Sequence, residues 1–316
     1  MSTSSVPPDS HYPFLTAADG DELRRLVHRS FAAHGADVLI HGGDVGAGEG
    51  WLFHLDNLAR SYAQEPDPRT RIRHVDAFVR SMLDSMAATG PAGGLEGEEI
   101  MARLLIRLLP EENLAETEPA GIETRPFLEG VIQVLVVDHP DRVEFVGPEL
   151  LERLGGWDTV HARALENLRA LRLDGPVERL GSTESGAVLD TIVDDSFYTA
   201  SKALLAPEIV EAASGGPIGE GGFFFTIPDR HQFAYCLLQD STAMTSLPPM
   251  AGFAYRGWAE NPGPVSPLIY WHDGQRIHDV AMVDPAKERP GVIQQLGDLQ
   301  LNLPEALQET LHRLRA

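Results

Sequence analysis

Cysteine is almost absent. Cys236 is the only one in 316 residues, which excludes an intramolecular disulfide and a thiolate-built zinc site. It stands in the run Phe233-Ala234-Tyr235-Cys236-Leu237-Leu238 and reads as a small core hydrophobe. Lysine is nearly as scarce: Lys202 and Lys287 are the only two, so Schiff-base chemistry and phosphate-gripping lysines have little to draw on. Lys202 is expected on a solvated helix face. Long apolar runs are missing as well, and none approaches the ~20 residues that a bilayer-spanning helix needs. Met1 to Ser10 holds two prolines and no basic stretch leading into an apolar one, so a secretory signal is not expected and a cytoplasmic location is. Positive charge is outweighed, with 25 Lys and Arg against 47 Asp and Glu and a formal net charge of −22. A field of that sign repels phosphate backbones and anionic lipid. Neither nucleic acid nor membrane is therefore an expected partner, whereas a basic protein is.

With 43% hydrophobic residues the chain can bury one large core or two ordinary ones. Residues 1–18 read as a flexible leader. A helical pattern starts at Asp19, with Leu23, Leu26, Val27 and Phe31 on one face, and Gly35 ends it. Asp37–His41 and Trp51–His54 read as the strands of one hairpin around the turn Gly42–Gly46. Asp56 or Asn57 is placed to cap the helix after it. A strongly amphipathic helix follows, its stripe made of Ile72, Val75, Phe78, Val79, Met82 and Met86. Gly90–Gly97 reads as a linker, Glu98–Leu109 as a helix stopped by Pro110, and the acidic stretch 111–123 as an exposed domain boundary.

The second half opens on Val131–Val137, a nearly continuous apolar strand that turns at His139–Arg142 into Val143–Val146. Helices are expected after Pro148 and over Thr159–Leu171, a hairpin around Ser182–Gly186, and mostly helix over Tyr198–Ala213, interrupted at Pro207. Phe223–Ile227 and Gln232–Leu238 flank the turn Pro228-Asp229-Arg230, which echoes Pro140-Asp141-Arg142. Helical structure is expected around Met250–Glu260. The pair Leu268–Trp271 and Arg276–Met282 closes on Asp273-Gly274, a strong hairpin signal. After a polar linker, 285–297, Asn302-x-x-Glu305 resembles a capping box ahead of a stripe of Leu303, Leu307, Leu311 and Leu314. The expected fold class is α+β: a helical N-terminal part with one β-hairpin (19–115), then antiparallel hairpins flanked by helices (120–284), and a C-terminal linker and amphipathic helix (285–316).

The chemistry-bearing groups are few. His41, Asp44, His54 and Asp56 are the metal candidates, because two histidines facing each other across a hairpin with nearby carboxylates suit zinc or a harder divalent ion. That set underlies an alternative reading as a metal-dependent hydrolase. Arg69, Arg71 and Arg73 form the one concentrated basic run, at a helix start where cations oppose the macrodipole. An anion or a partner's carboxylates could compensate there. Phe253, Tyr255, Trp258, Tyr270 and Trp271, near Arg256 and His272, read as core packing more than as a ligand groove. Gly-x-Ser-x-Gly, Ser-x-x-Lys, the phosphate-binding loop and the dinucleotide fingerprint are all missing.

The order of several motifs resembles a bacterial family. These are Leu55-Asp56-Asn57-Leu58-Ala59-Arg60 after a strand, the Arg69–Met82 helix, and the Val131–Phe145 hairpin ahead of Ala164-Leu165-Glu166-Asn167-Leu168. Phe223–Leu238 with its Pro-Asp-Arg turn, Ser196–Leu205 and Ser266-Pro267-Leu268 complete the set. The pattern resembles the YtpQ-like proteins, domain of unknown function 1444, over roughly residues 20–283. The resemblance implies a mixed α/β cytoplasmic protein and supplies no catalytic residues to carry over. The departures are Asp229-Arg230-His231 in the turn, the leader and the C-terminal helix. Together these readings lead to the expectation of a non-enzymatic binding or interaction protein with an acidic surface and no cofactor.

Overall fold

A computed structural model of the chain describes residues 7–12, 14–41, 43–47, 51–87, 97–111, 122–139, 143–182, 187–283 and 299–314. Most of the linker at 90–97, the acidic stretch at 112–121, the turns at 140–142 and 183–186 and the linker at 285–297 lie outside the described residues. The fold is α+β.

Helix α1 (Ala17–Ala33) starts where the Thr16 side chain accepts from the Asp19 amide, and the chain turns away at Gly35, whose φ of 78° favours glycine. Strands β1 (Val38–His41), β2 (Asp44–Ala47) and β3 (Trp51–His54) form an antiparallel meander. The single hairpin expected here is thus corrected, because Asp44–Ala47 is itself a strand. Helices α2 (Asp56–Gln64) and α3 (Pro68–Ala87) complete the N-terminal region. Leu23, Val27 and Phe31 pack with Leu58, Tyr62, Val75 and Val79 in one core. Ile72 falls outside that stripe and is exposed. The leader is corrected too: Asp9, Tyr12 and Leu15 are buried, and the Asp9 carboxylate meets Arg24 at 2.5 Å.

Helix α4 (Gly97–Arg103) ends six residues earlier than the sequence pattern suggests, and Leu104–Pro110 is strand β4. An apolar run without a polar face carries no helix or strand period of its own. Here β6 (Val131–Asp138) takes it up, pairing with β4 from Leu104↔Val137 to Pro110↔Val131. Strands β5 (Thr124–Leu128) and β7 (Val143–Phe145) share the other edge of β6. Because β4 and β6 pair across it, the stretch 111–123 is not a boundary between separate bodies of structure. Helices α5 (Pro148–Arg153) and α6 (Trp157–Ala170) cover one face of this sheet.

The larger sheet contains β8 (Val177–Ser182), β9 (Ala187–Val193), β10 (Phe223–Thr226), β11 (Gln232–Leu237), β12 (Ile269–His272), β13 (Ile277–Val283) and β14 (Leu299–Leu301). Its order is β14-β13-β12-β10-β11-β9-β8, antiparallel throughout. Alternating residues serve its two faces. Phe223, Phe225, Phe233 and Tyr270 meet a 3₁₀ turn (Ala200–Leu205) and helix α7 (Ala206–Ser214). Phe224, Ala234, Cys236 and Trp271 meet helices α8 (Leu247–Glu260) and α9 (Glu305–Arg313). Pro207 therefore lies in the first turn of α7 and does not interrupt a helix. Asn302 caps nothing: Pro304 occupies the cap position of α9, without a side-chain bond. Among the described residues no helix is long and apolar enough to cross a membrane.

Candidate binding groove

Strand β8 ends the large sheet, so along its outer edge the backbone groups meet no further strand among the described residues. Val177 and Leu180 on it are 45% and 43% exposed, and an open apolar edge is a template for an added strand. Arg179 is held to Asp190 of β9 by two bonds, 2.7 and 2.9 Å, which stiffens the hairpin without covering that edge. Helix α8 runs above. At Gly257 a Cβ would stand 2.8 Å from both Pro228 and the Gln232 side-chain oxygen, so only glycine allows the helix this close to the β10–β11 turn. Between α8 and the β8–β9 hairpin lies a groove of about 570 Å³. Leu180, Leu189, Phe253, Arg256, Glu260 and Gln232 are among its lining residues. The Gln232 oxygen is buried and has no hydrogen-bond partner among the described residues, nor has the Tyr235 hydroxyl on the same strand. Burial, reinforced by Asp190, pushes the Tyr235 phenol up to about 12.

The interior holds further polar groups, each tied to structure. The Lys202 ammonium, expected in solvent, is buried and donates to the Leu168 and Leu171 carbonyls at 2.6 Å, at the C-terminal end of α6. A cation there meets the negative end of the helix dipole. Asp229 is fully buried and accepts from Asn261 at 2.8 Å and from the His231 amide at 2.8 Å. Burial outweighs those bonds and raises its carboxyl to about 6.

Of the sequence-derived candidates, His41, Asp44 and His54 stand on neighbouring strands, and the rest are dispersed. His41 pairs with Asp44, and Asp44 in turn with His54, so the two histidines flank β2 and do not face each other across one hairpin. Asp56 is exposed at the first position of α2, where a carboxylate suits the helix dipole, and the cap position is held by Leu55. Asn57 instead accepts from the Gly263 amide at 2.7 Å. The arginines of α3 do not share one partner. Arg71 lies over the Tyr62 ring at 4.4 Å and donates to the Glu65 carbonyl at 2.6 Å, Arg73 donates to Thr70 at 2.8 Å, and the Arg69 backbone rests on Asp67. The aromatic group divides: Tyr270 and Trp271 are in the core, whereas Phe253 faces the groove beside Arg256. Among the described residues, no three of His, Cys, Asp and Glu converge as a metal site would require. The groove was not legible in the sequence because β9, β10 and β11 lie between its walls, β8 and α8, along the chain. The apolar Val177 and Leu180 in one short stretch were the available signal.

Comparison with protein-family models, with curated proteins and with solved structures gives no match.

Proposed function

We propose that this chain is a cytoplasmic binding protein, and that it takes up an extended basic segment of a partner protein along β8, with an apolar side chain seated beneath α8. The observation that carries this reading is the open edge of β8 beside a roomy groove that its exposed Leu180 lines, in a chain of net charge −22. Strand addition supplies main-chain hydrogen bonds, and the groove supplies selection for alternate side chains. The acidic field favours lysine- or arginine-bearing partners and speeds their encounter. The unpaired Gln232 oxygen offers an acceptor to a donor entering with them. The same motif order that resembles the YtpQ-like proteins supports placing the chain among them.

Fluorescence anisotropy with two labelled peptides of equal apolar content, one alternating valine with lysine and one alternating valine with glutamate, tests the reading. The lysine peptide is expected to bind, with an affinity that falls as salt rises, and Leu180→Glu to weaken it about tenfold or more, or ~1.4 kcal/mol. Equal binding of both peptides, or indifference to Leu180→Glu, overturns it.

One observation favours a second reading, a metal-dependent hydrolase. His41, Asp44 and His54 stand in a single row across β1, β2 and β3. Zinc and manganese are then expected to raise the melting temperature. A purified protein that retains no metal and melts unchanged in their presence ends that reading.

A further inference from the structure

The groove beneath α8 changes character along its length. The Val188 amide donates to Ser246 at 2.9 Å, which sets the β8–β9 hairpin against the start of the helix. Leu180, Leu189, Pro248, Pro249 and Phe253 make that end apolar, and Gln232, Glu260 and Asn261 make the other end polar. Helical side chains lean toward the N-terminus of their helix. Glu260 therefore reaches back over Gly257, and Arg256, also on the lining, leans toward Phe253. At Gly257 a Cβ would stand 2.8 Å from the Gln232 side-chain oxygen. A carboxylate and an amide oxygen thus converge at the C-terminal end of α8, the negative end of its dipole.

Neither acceptor has a partner among the described residues. The Gln232 oxygen is buried without one, a bond that is costly to leave unmade. Glu260 is exposed and its carboxylate forms no ion pair, not even with Arg256 one turn before it. Asn261 is already engaged: its amide donates to Asp229 at 2.8 Å, and its oxygen accepts from Gln64 of α2 at 3.0 Å. Rotation about the broad terminal torsion of Gln232 turns its oxygen into the groove that the side chain lines. The polar end lacks a donor, and the surrounding charge of −22 favours a cationic one.

Distance decides which cation. Gln232 stands on β11, and β9 and β8 separate it from the open edge. A strand added outside β8 is then three spacings from β11, or about 14 Å at ~4.8 Å each. No side chain on the added strand spans that, whereas about four residues of extended chain do. A segment crossing there meets α2 at the far end, where Arg60 donates to the Ala259 carbonyl and Gln64 to Asn261. An internal stretch has to leave as well as enter. A chain end has only to enter.

On the reading above, that β8 takes up an added strand, we infer that the groove captures the N-terminus of the partner. The segment paired with β8 is the partner's first stretch, its leading residues cross beneath α8, and the α-ammonium is held by Glu260 and Gln232. An ammonium brings three donors to two free acceptors, and the apolar side chains behind it meet Leu189 and Phe253.

Fluorescence anisotropy with the full chain compares two forms of the alternating valine–lysine peptide. Both start with valine and are amidated and labelled at the C-terminal end; one has a free amino terminus and the other is acetylated. The free form is expected to bind about tenfold tighter, the effect of charge-assisted bonds that acetylation removes. An α-amino group titrates at roughly 7.7–8.0, so this advantage should shrink as the pH rises from about 7 to about 9, with the acetylated form as reference for every other titration. Glu260→Gln is expected to lower the ratio of the two affinities about threefold or more, and Glu260→Asp to keep part of it. Because the readout is a ratio within one variant, a general loss of stability does not imitate it. Leu180→Glu should weaken both forms alike. Equal affinities, or a ratio that Glu260→Gln leaves intact, overturn the inference while strand addition stands. No binding of either form overturns both.

Discussion

The ammonium of Lys202 ends on two carbonyls that α6 leaves open, and Met in its place would keep the packing while orphaning both. Lys202→Met is expected to cost about 3 kcal/mol, the order of two lost charge-assisted bonds less partial relaxation. Urea denaturation would show it as a lower midpoint at unchanged slope. Two carboxylates bend the pH profile in opposite directions. Asp9, held down to about 2 chiefly by its bond from Arg24, stabilises the fold above its ordinary value of 3.8 and loses that contribution as pH falls toward 2. Asp229, raised to about 6 by burial, contributes fully below 3.8, and its contribution declines as pH climbs through 6. Urea midpoints from pH 2 to 7 should therefore rise, then sag. Asp9→Asn flattens the rise, and Asp229→Asn flattens the sag, whose size is on the order of 3 kcal/mol at ~1.4 kcal/mol per pH unit. A sag that persists in Asp229→Asn would assign it to another group.

Among the elements, those with a clear period were the legible ones. The α1 stripe, the Phe223–Leu238 hairpin and the leucines of α9 all stand where their spacing placed them. Strand β4 did not, because Leu104–Leu109 is apolar nearly throughout and its partner β6 lies beyond a long connection. Strand β14, three residues long, is too short to leave a pattern. Lys202 was misplaced because its burial depends on the end of a helix distant in sequence. Close approaches are legible only in space. Gly222 has φ 73°, and a Cβ there would lie 1.9 Å from the His272 carbonyl oxygen. Gly222→Ala is expected to cost more than ~1 kcal/mol from the backbone angle alone, and more through that clash. Calorimetric melting would record the drop, and an unchanged midpoint would contradict this account of the β10–β12 junction.

For the whole molecule, charge sets two salt responses of opposite sign. Self-repulsion at −22 weakens as the Debye length shrinks from ~30 Å at 0.01 M to ~8 Å at 0.15 M salt, so the melting temperature should climb over that range. The affinity for a basic peptide should fall over the same range. A melting temperature that drops with salt would mean that favourable ion pairs dominate over repulsion.

The N-terminal region has a core of its own, drawn from residues 12–83, and among the described residues no buried apolar cluster is shared with the rest. What ties them is a seam of hydrogen bonds: Arg60 to the Ala259 carbonyl, Gln64 to Asn261 and the Gly263 amide to Asn57. A joint made of polar groups opens without leaving an oily scar on either half, since water can take over each bond. Separation, rotation or exchange of one half through evolution therefore leaves the other fit to stand in water.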